Sequence, residues 1–394
     1  MNYDKNVLRL YIIVFFHNLI PAYVIERLFW ENRGMTVLMV VFCEIIYAGT
    51  VVVFEIPSGI LADKVGRKRL LVIGAVLSVL EFLILLFAFH FWTFALVVFL
   101  AGISKACTSG ALNALLYDSL KESNKQNSFE KIIGRMNSLD LIASLIAALS
   151  GSVVAGYFGF EFNYIISAAS MLIALGFTMV LTDPPGIWKR KEGVRENKST
   201  LNDLLSQSIE FYRVNHRLVL IIFHAMAVMA CVTYLDEFWQ LYLNEIGTIV
   251  MFFGVFSAII SLVRIPGNLI AACLIKHTNE EIIILAVLGI TTLAFFIAVI
   301  FPGPVGLSMI ILIFLASGVV DPVITGSLHH KGSSEIRATI DSIKSMMERA
   351  ITFILGIGFG IISSNSSVIA GFFFLGIVTC LLFTFLLLKK LLQQ

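Results

Sequence analysis

The apolar residues of this chain come in long unbroken runs, and the length of those runs decides what it can become. Twelve segments stand out, at about 7–29, 37–61, 70–90, 93–117, 131–157, 163–182, 216–243, 249–275, 281–301, 305–327, 337–362 and 368–388. Each approaches or exceeds the roughly 20 residues that carry a helix across a bilayer. In hydrocarbon every backbone N–H and C=O must be satisfied internally, so only helices or closed barrels can span it. The two-residue alternation of a barrel strand is absent. Composition agrees: 58% of the 394 residues are hydrophobic and 14% charged, too few polar groups to cover a soluble core. The sequence therefore predicts an all-α integral membrane protein with 12 transmembrane helices. The first run lacks a small-residue cleavage site and reads as a retained span. Cys43, Cys107, Cys231, Cys273 and Cys380 all lie inside apolar runs without CxxC spacing, so they read as packing residues, and no cofactor or metal is expected.

One long polar interval, 183–215, opens "DPPGIWKRKEG" and continues as a charged, amphipathic stretch. It reads as a linker, giving an expected organisation of residues 1–182, a linker 183–215, and residues 216–394, with six spans on either side. Lys and Arg concentrate on one set of loops: Lys64 and Arg67–Arg69, Lys121 to Lys131, Lys189 to Lys198, Lys276, Lys331 and Arg337. The excess of positive charge on cytoplasmic loops places both termini and the linker in the cytoplasm, with the chain in the cell (inner or plasma) membrane. A net charge of +2 gives no reason to expect nucleic acid as a partner.

The phrase "FEIPSGILADKVGRKR" (54–69) returns as "VRIPGNLIAACLIKH" (263–277). Pro57 aligns with Pro266, Ala62 with Ala271, Glu55 with Arg264 and Asp63 with Ala272. Each phrase ends the second span of its group, so the two groups read as related halves, a hallmark of secondary transporters. Gly59 and Gly66 permit close helix approach and a tight reversal. Asp63 at a helix end seeks N–H or cationic partners, and the start of span eleven offers both, including Arg337.

The spacing Gly59-x-x-x-Asp63-x-x-Gly66-Arg67-Lys68-Arg69 between spans two and three resembles the signature loop of the major facilitator superfamily. The likeness extends over the chain in span count and central linker. "ERLFWENRGMT", "EIPSG", "SGALNALLYDSL" and "IRATIDS" are similar to bacterial drug exporters of that superfamily. Span five has glycines in "ALSGSVVAGYFG" without the Gly-Pro pair that drug/proton antiporters often carry, and Val97, Val98 and Phe99 stand where the superfamily often has an arginine. The resemblance implies two pseudo-symmetric six-helix bundles that alternate access to a site lined by spans one, four, seven and ten. It also implies a latch between bundles built from Gly59, Asp63, Gly66, Arg67, Lys68, Arg69 and Arg337.

A charge at mid-bilayer costs about 2.5–3.5 kcal/mol on insertion scales, so retained ones face a cavity or one another. Lys105 in span four is the leading candidate for substrate or coupling contact, with Glu44 and Glu81 as suggested partners. His17 and Asn18 precede Pro21, which implies a bent helix at the site. Asn113, His224, Asp236, Asp321, Glu348 and Arg349 complete the candidates. Asp341, Lys344 and Glu348 have helical spacing for mutual pairing, and Asp140 is placed to pair with Arg135. The expected function is proton-coupled efflux of small amphipathic or lipophilic compounds by a monomer in the lipid bilayer. The alternatives are a transporter of a specific metabolite, siderophore or lipid-like substrate and, from another class, a membrane enzyme or sensor. No HExxH, GxSxG or Walker loop favours an enzyme.

Overall fold

A computed structural model describes residues 4–183, 210, 212–331 and 337–392; most of the expected linker lies outside them. Among the described residues the secondary structure is helical, with no strand. Among the described residues, eleven helical segments are long and apolar enough to cross a membrane. The twelfth, α4 (Arg67–Leu85), misses that measure because Lys68, Arg69 and Glu81 crowd its nineteen residues. It packs extensively along α5 (Phe91–Glu122) and α7 (Phe160–Met179), so it belongs to the same layer of spans. The chain divides into two compact units, Met1–Val194 with Ile249–Ala258, and Arg195–Thr248 with Ile259–Gln394.

In the first unit the opening span is broken. α1 (Asp4–Asn18) gives way to a 3-10 turn at Pro21–Ile25 and then α2 (Glu26–Asn32). A proline has no N–H to continue the ladder, and in lipid the freed backbone groups need other partners. α7 supplies them. Ser170 Oγ donates to the Phe16 carbonyl at 2.7 Å, and Ser167 Oγ accepts the Ala22 N–H at 3.1 Å. α6 (Phe129–Phe158) presents Gly151 to the break, where a Cβ would stand 2.5 Å from the Pro21 carbonyl oxygen. Asn163 Nδ2 in turn donates to the Gly151 carbonyl at 2.9 Å. The bend at Pro21 is therefore held by two helices, α6 and α7.

α3 (Val37–Val65) begins on a Thr36 cap, carries Pro57 inside it, and meets α4 at Gly66. Gly66 has φ +108°, a region open to glycine and strained for other residues. Small residues then let helices touch. The Gly74 carbonyl accepts from Ser104 Oγ at 2.9 Å across α4 and α5, and the Ser104 and Ser78 hydroxyls lie 2.9 Å apart. This is the pattern expected where packing and interhelical hydrogen bonds replace the hydrophobic drive.

The second unit comprises α8 (His216–Glu245), most of α9 (Phe253–His277), α10 (Glu280–Ile300), α11 (Pro304–Ser317), α12 (Val320–Lys331), α13 (Arg337–Asn365) and α14 (Val368–Leu391). The expected tenth span is thus two helices, α11 and α12, which meet at Gly318. α8 runs through the core, and its Leu218, Ile222 and Ala225 pack with Leu288, Ile324, Ile340 and Leu386. Tyr234, Phe238, Phe359 and Phe372 stack beside it. Large aliphatic residues on the outer faces, such as Leu269 at 72% and Leu293 at 65% exposure, suit a lipid surround and not water.

Gly151→Val is expected to destabilise the detergent-purified protein by about 1–3 kcal/mol, because the new methyls press on backbone that cannot retreat. Gly176→Ala, where a Cβ meets nothing within 4 Å, should leave the unfolding midpoint unchanged or slightly raised. Thermal unfolding of both variants checks the bend; equal behaviour would remove Gly151 from it.

Candidate functional site

Three helices of the first unit turn a helical stripe toward one cavity of about 500 Å³. α1 contributes Leu10, Ile13, Val14, His17 and Asn18; α5 contributes Lys105, Thr108, Ser109, Leu112 and Asn113; α6 contributes Ile133, Met136, Asn137 and Asp140. Each set follows the i, i+3, i+4, i+7 spacing that puts residues on one helix face. Leu71 and Ala75 of α4 and Ala174 and Thr178 of α7 close the back, together with Leu181. One part of the wall is apolar and the rest bears hydroxyls, amides, an imidazole and two full charges.

Four sequence candidates, His17, Asn18, Lys105 and Asn113, meet in this wall. Asn18 Nδ2 donates to the Val14 carbonyl at 2.9 Å. Lys105 is exposed and exerts its charge on His17 and on Asp140. Asp140 lies in the cavity wall near Lys105, whereas the sequence reading paired it with Arg135. Asn137 was not singled out, although its i, i+3 relation to Asp140 and i, i+4 relation to Ile133 mark the same face.

The suggested partners of Lys105 sit elsewhere. Glu44 accepts a hydrogen bond from Arg27 at 2.5 Å. Arg27, only 4% exposed, also lies 3.6 Å from Glu26 and over the Trp30 ring at 5.1 Å. Glu81 shares the neighbourhood of Tyr23 and Glu26. An arginine fork can serve several acceptors while stacking on an aromatic face, and Arg27 does both.

The remaining candidates fall into separate groups in the second unit. His224 is buried among core residues, with Nδ1 2.7 Å from the Leu220 carbonyl and its ring stacked on Phe385 at 5.7 Å. It packs the core and lines no cavity described here. Asp236 pairs with Arg264 at 2.9 Å, and Arg264 lies over the Phe314 ring at 4.7 Å. Asp321 of α12 accepts from Lys344 of α13 at 2.6 Å, and Thr325 joins them, accepting from Lys344 at 3.1 Å. Lys344 is therefore tied to a neighbouring helix, where the sequence reading paired it within its own; the Asp341 side chain lies outside the described residues. Glu348 follows one turn after Lys344 and feels its charge. Arg349 is exposed.

Of the expected latch, the side chains of Asp63 and Arg337 lie outside the described residues. Of its other members, Arg67 and the Lys68 backbone are anchored within the first unit. Arg67 pairs with Asp118 of α5 and donates to the Ala114 carbonyl at 2.6 Å. Asp183, the first residue of the polar interval, accepts the Lys68 N–H at 2.9 Å and so sits on the N-terminus of α4, where an anion is favoured. A Cβ on Gly66 would come within 2.9 Å of the Asp183 carboxylate. Nearby, Asn6 bridges Ser119 Oγ at 2.9 Å and the Thr182 carbonyl at 2.8 Å. Gly59 and Arg67 line a second cavity of about 500 Å³ that also includes Glu55, Ser58 and Gly110. Lys68 and Arg69 flank it at the start of α4. Sequence reading did not single out Asp118, Asp183 or Asn6, because their partners lie far off in the chain.

Comparison with known proteins bears on the whole arrangement. The sequence profile described as Major Facilitator Superfamily matches residues 10–347. An uncharacterized transporter of Buchnera aphidicola subsp. Acyrthosiphon pisum is 28% identical over 252 residues, 61% of this chain and 62% of that one. The multidrug transporter MdfA of Edwardsiella ictaluri is 33% identical over 116 residues, 29% of this chain and 27% of that one. The chain thus spans less than two thirds of the length of these relatives. Among solved structures, nucleoside transporter NupG superposes with a TM-score of 0.76 at 16% identity, covering 98% of each chain. A D-xylose-proton symporter gives 0.66 at 13% identity, covering 98% of this chain and 96% of that one. At such identities the likeness is one of fold.

Arg27→Ala is expected to lower stability by about 3 kcal/mol, because it strands Glu44 and Glu26 without their shared cation. Glu44→Gln should cost less, since the arginine keeps Glu26. Unfolding midpoints of the two purified variants test the order; the reverse order would show that Arg27 is not the hub.

Proposed function

The chain belongs to the major facilitator superfamily and is a multi-pass membrane transporter of small molecules, not an enzyme; on that premise we propose that it exports amphipathic compounds by proton-coupled alternating access. The observation that carries this reading is the cavity of the first unit. Its Leu10, Ile13, Val14, Leu112 and Met136 side offers apolar contact, while His17, Asn18, Lys105, Asn113 and Asp140 offer polar contact. A ligand that is apolar at one end and polar at the other matches such a wall. The similarity of a 116-residue stretch to multidrug transporter MdfA supports the same substrate class.

In this reading His17, Asn18, Lys105 and Asn113 contact substrate. Asp236, Asp321, Glu348 and Arg349 are coupling or gating groups of the second unit, since carboxylates in a membrane can carry protons when their surroundings change. Residues 1–182 and 216–394 form two bundles joined by 183–215, with the Gly59–Arg69 loop and Arg337 as the latch between them. The basic loops support a cytoplasmic position for both termini in the cell membrane, and the protein works as a monomer. A second reading, transport of one specific metabolite, draws on the density of polar side chains around Lys105.

Reconstitution in proteoliposomes separates the two. A panel of dyes and antibiotics, followed with and without an imposed pH gradient, is expected to show several compounds moved only when the gradient is present. Lys105→Ala should abolish that flux with expression intact. Flux indifferent to the gradient would end the proton-coupled proposal, and movement of a single metabolite would select the second reading.

A further inference from the structure

Resting on the proposal that the first-unit cavity holds the substrate, the charges in its wall narrow the substrate further. Lys105 and Asp140 are its two full charges. They come from different helices, α5 and α6, and both are exposed. Among the described residues, neither the Lys105 ammonium nor the Asp140 carboxylate makes an ion pair or hydrogen bond, although the field of Lys105 reaches Asp140. Elsewhere in this fold the ionised groups of the spans are repeatedly tied down: Arg27 with Glu44, Arg67 with Asp118, Arg264 with Asp236 and Lys344 with Asp321. Lys105 and Asp140 carry no such pair, and both line a space large enough for a ligand.

We propose that this cavity selects amphipathic zwitterions, seating an anionic group of the ligand on Lys105, a cationic group on Asp140, and the apolar body along Leu10, Ile13 and Val14 of α1. The physical reason is desolvation. A ligand that enters displaces the water around both charges, and in a low-dielectric wall each stranded charge is costly. A purely cationic ligand satisfies Asp140 but is repelled by Lys105; a purely anionic one has the converse problem. A neutral ligand leaves both unpaired. A zwitterion alone satisfies both with no net charge brought into the membrane. Asn18 and Asn113, in the same wall, supply hydrogen bonds that fix its orientation.

The test uses the full chain, purified in detergent, and four fluorescent probes with one apolar body: ε-dansyl-lysine, its N-acetyl derivative, its methyl ester and its N-acetyl methyl ester. These are zwitterionic, anionic, cationic and neutral respectively, and the blue shift of dansyl emission reports entry into an apolar site. A hydrogen bond to a charged group contributes about 1.5–3 kcal/mol, so the zwitterion should bind roughly tenfold or more tightly than any of the others. Lys105→Gln should weaken the zwitterion and the anion while leaving the cation unchanged or tighter. Asp140→Asn should weaken the zwitterion and the cation only, while Lys105→Arg and Asp140→Glu should preserve the ranking and so separate charge from folding. Equal binding of all four probes, no binding of any, or a ranking left intact by Lys105→Gln and Asp140→Asn would each overturn the proposal. Gradient-driven flux with a flat ranking would remove this inference and leave the export reading standing. A ranking by charge without flux would do the opposite.

Discussion

Hydrocarbon offers no water, and almost every feature of this protein answers that one fact. A backbone group without a partner, or a charge without a counter-charge, finds no solvent to make good the loss. The broken first span illustrates the answer for backbone. Pro21 interrupts the ladder, and hydroxyls of Ser167 and Ser170 on α7 take up the freed amide and carbonyl. Gly151 on α6 lets the bent segment come close enough for this to happen. The same rule governs side chains. Arg27, Arg67, Arg264 and Lys344 each hold a carboxylate, and two of them also lie over aromatic rings.

The repeated phrase diverged under that rule. Both copies keep a proline inside a helix, Pro57 in α3 and Pro266 in α9. In the first copy the charges follow the helix end: Asp118 holds Arg67, and Asp183 accepts the Lys68 backbone N–H beside the turn at Gly66. In the second copy the aspartate has become Ala272, yet the phrase is more than packing. Its Arg264, aligned with Glu55, holds Asp236, while Gly267 and Gly318 bring α9 and α11 into backbone contact. The same phrase thus supports a charged turn in one place and a close helix crossing in the other.

Pairing also separates structural charges from available ones. Glu44, Asp236 and Asp321 all looked like site residues as isolated letters, because an acidic residue within an apolar run is conspicuous whatever it does. The tertiary structure adds that each has a cation on a neighbouring helix. Lys105 and Asp140 differ in that both line one cavity with no ion pair among the described residues, which makes that cavity the natural place for a ligand with charges of its own.

The sequence alone determined that the chain is helical and crosses the membrane many times, because run length and the backbone's need for internal hydrogen bonds leave no alternative. It also located the bend at Pro21 and the turn at Gly66 and singled out His17, Asn18, Lys105 and Asn113, since these depend on residues within one or two helical turns. What joins residues far apart in the chain was not legible. Asn6 with Thr182, Arg67 with Asp118, Lys344 with Asp321, and Asp140 beside Lys105 leave no trace in local spacing. A charge in a span announces only that it must have a partner or an opening. Which of the two it has depends on the helix packed opposite, and only the tertiary structure supplies that helix.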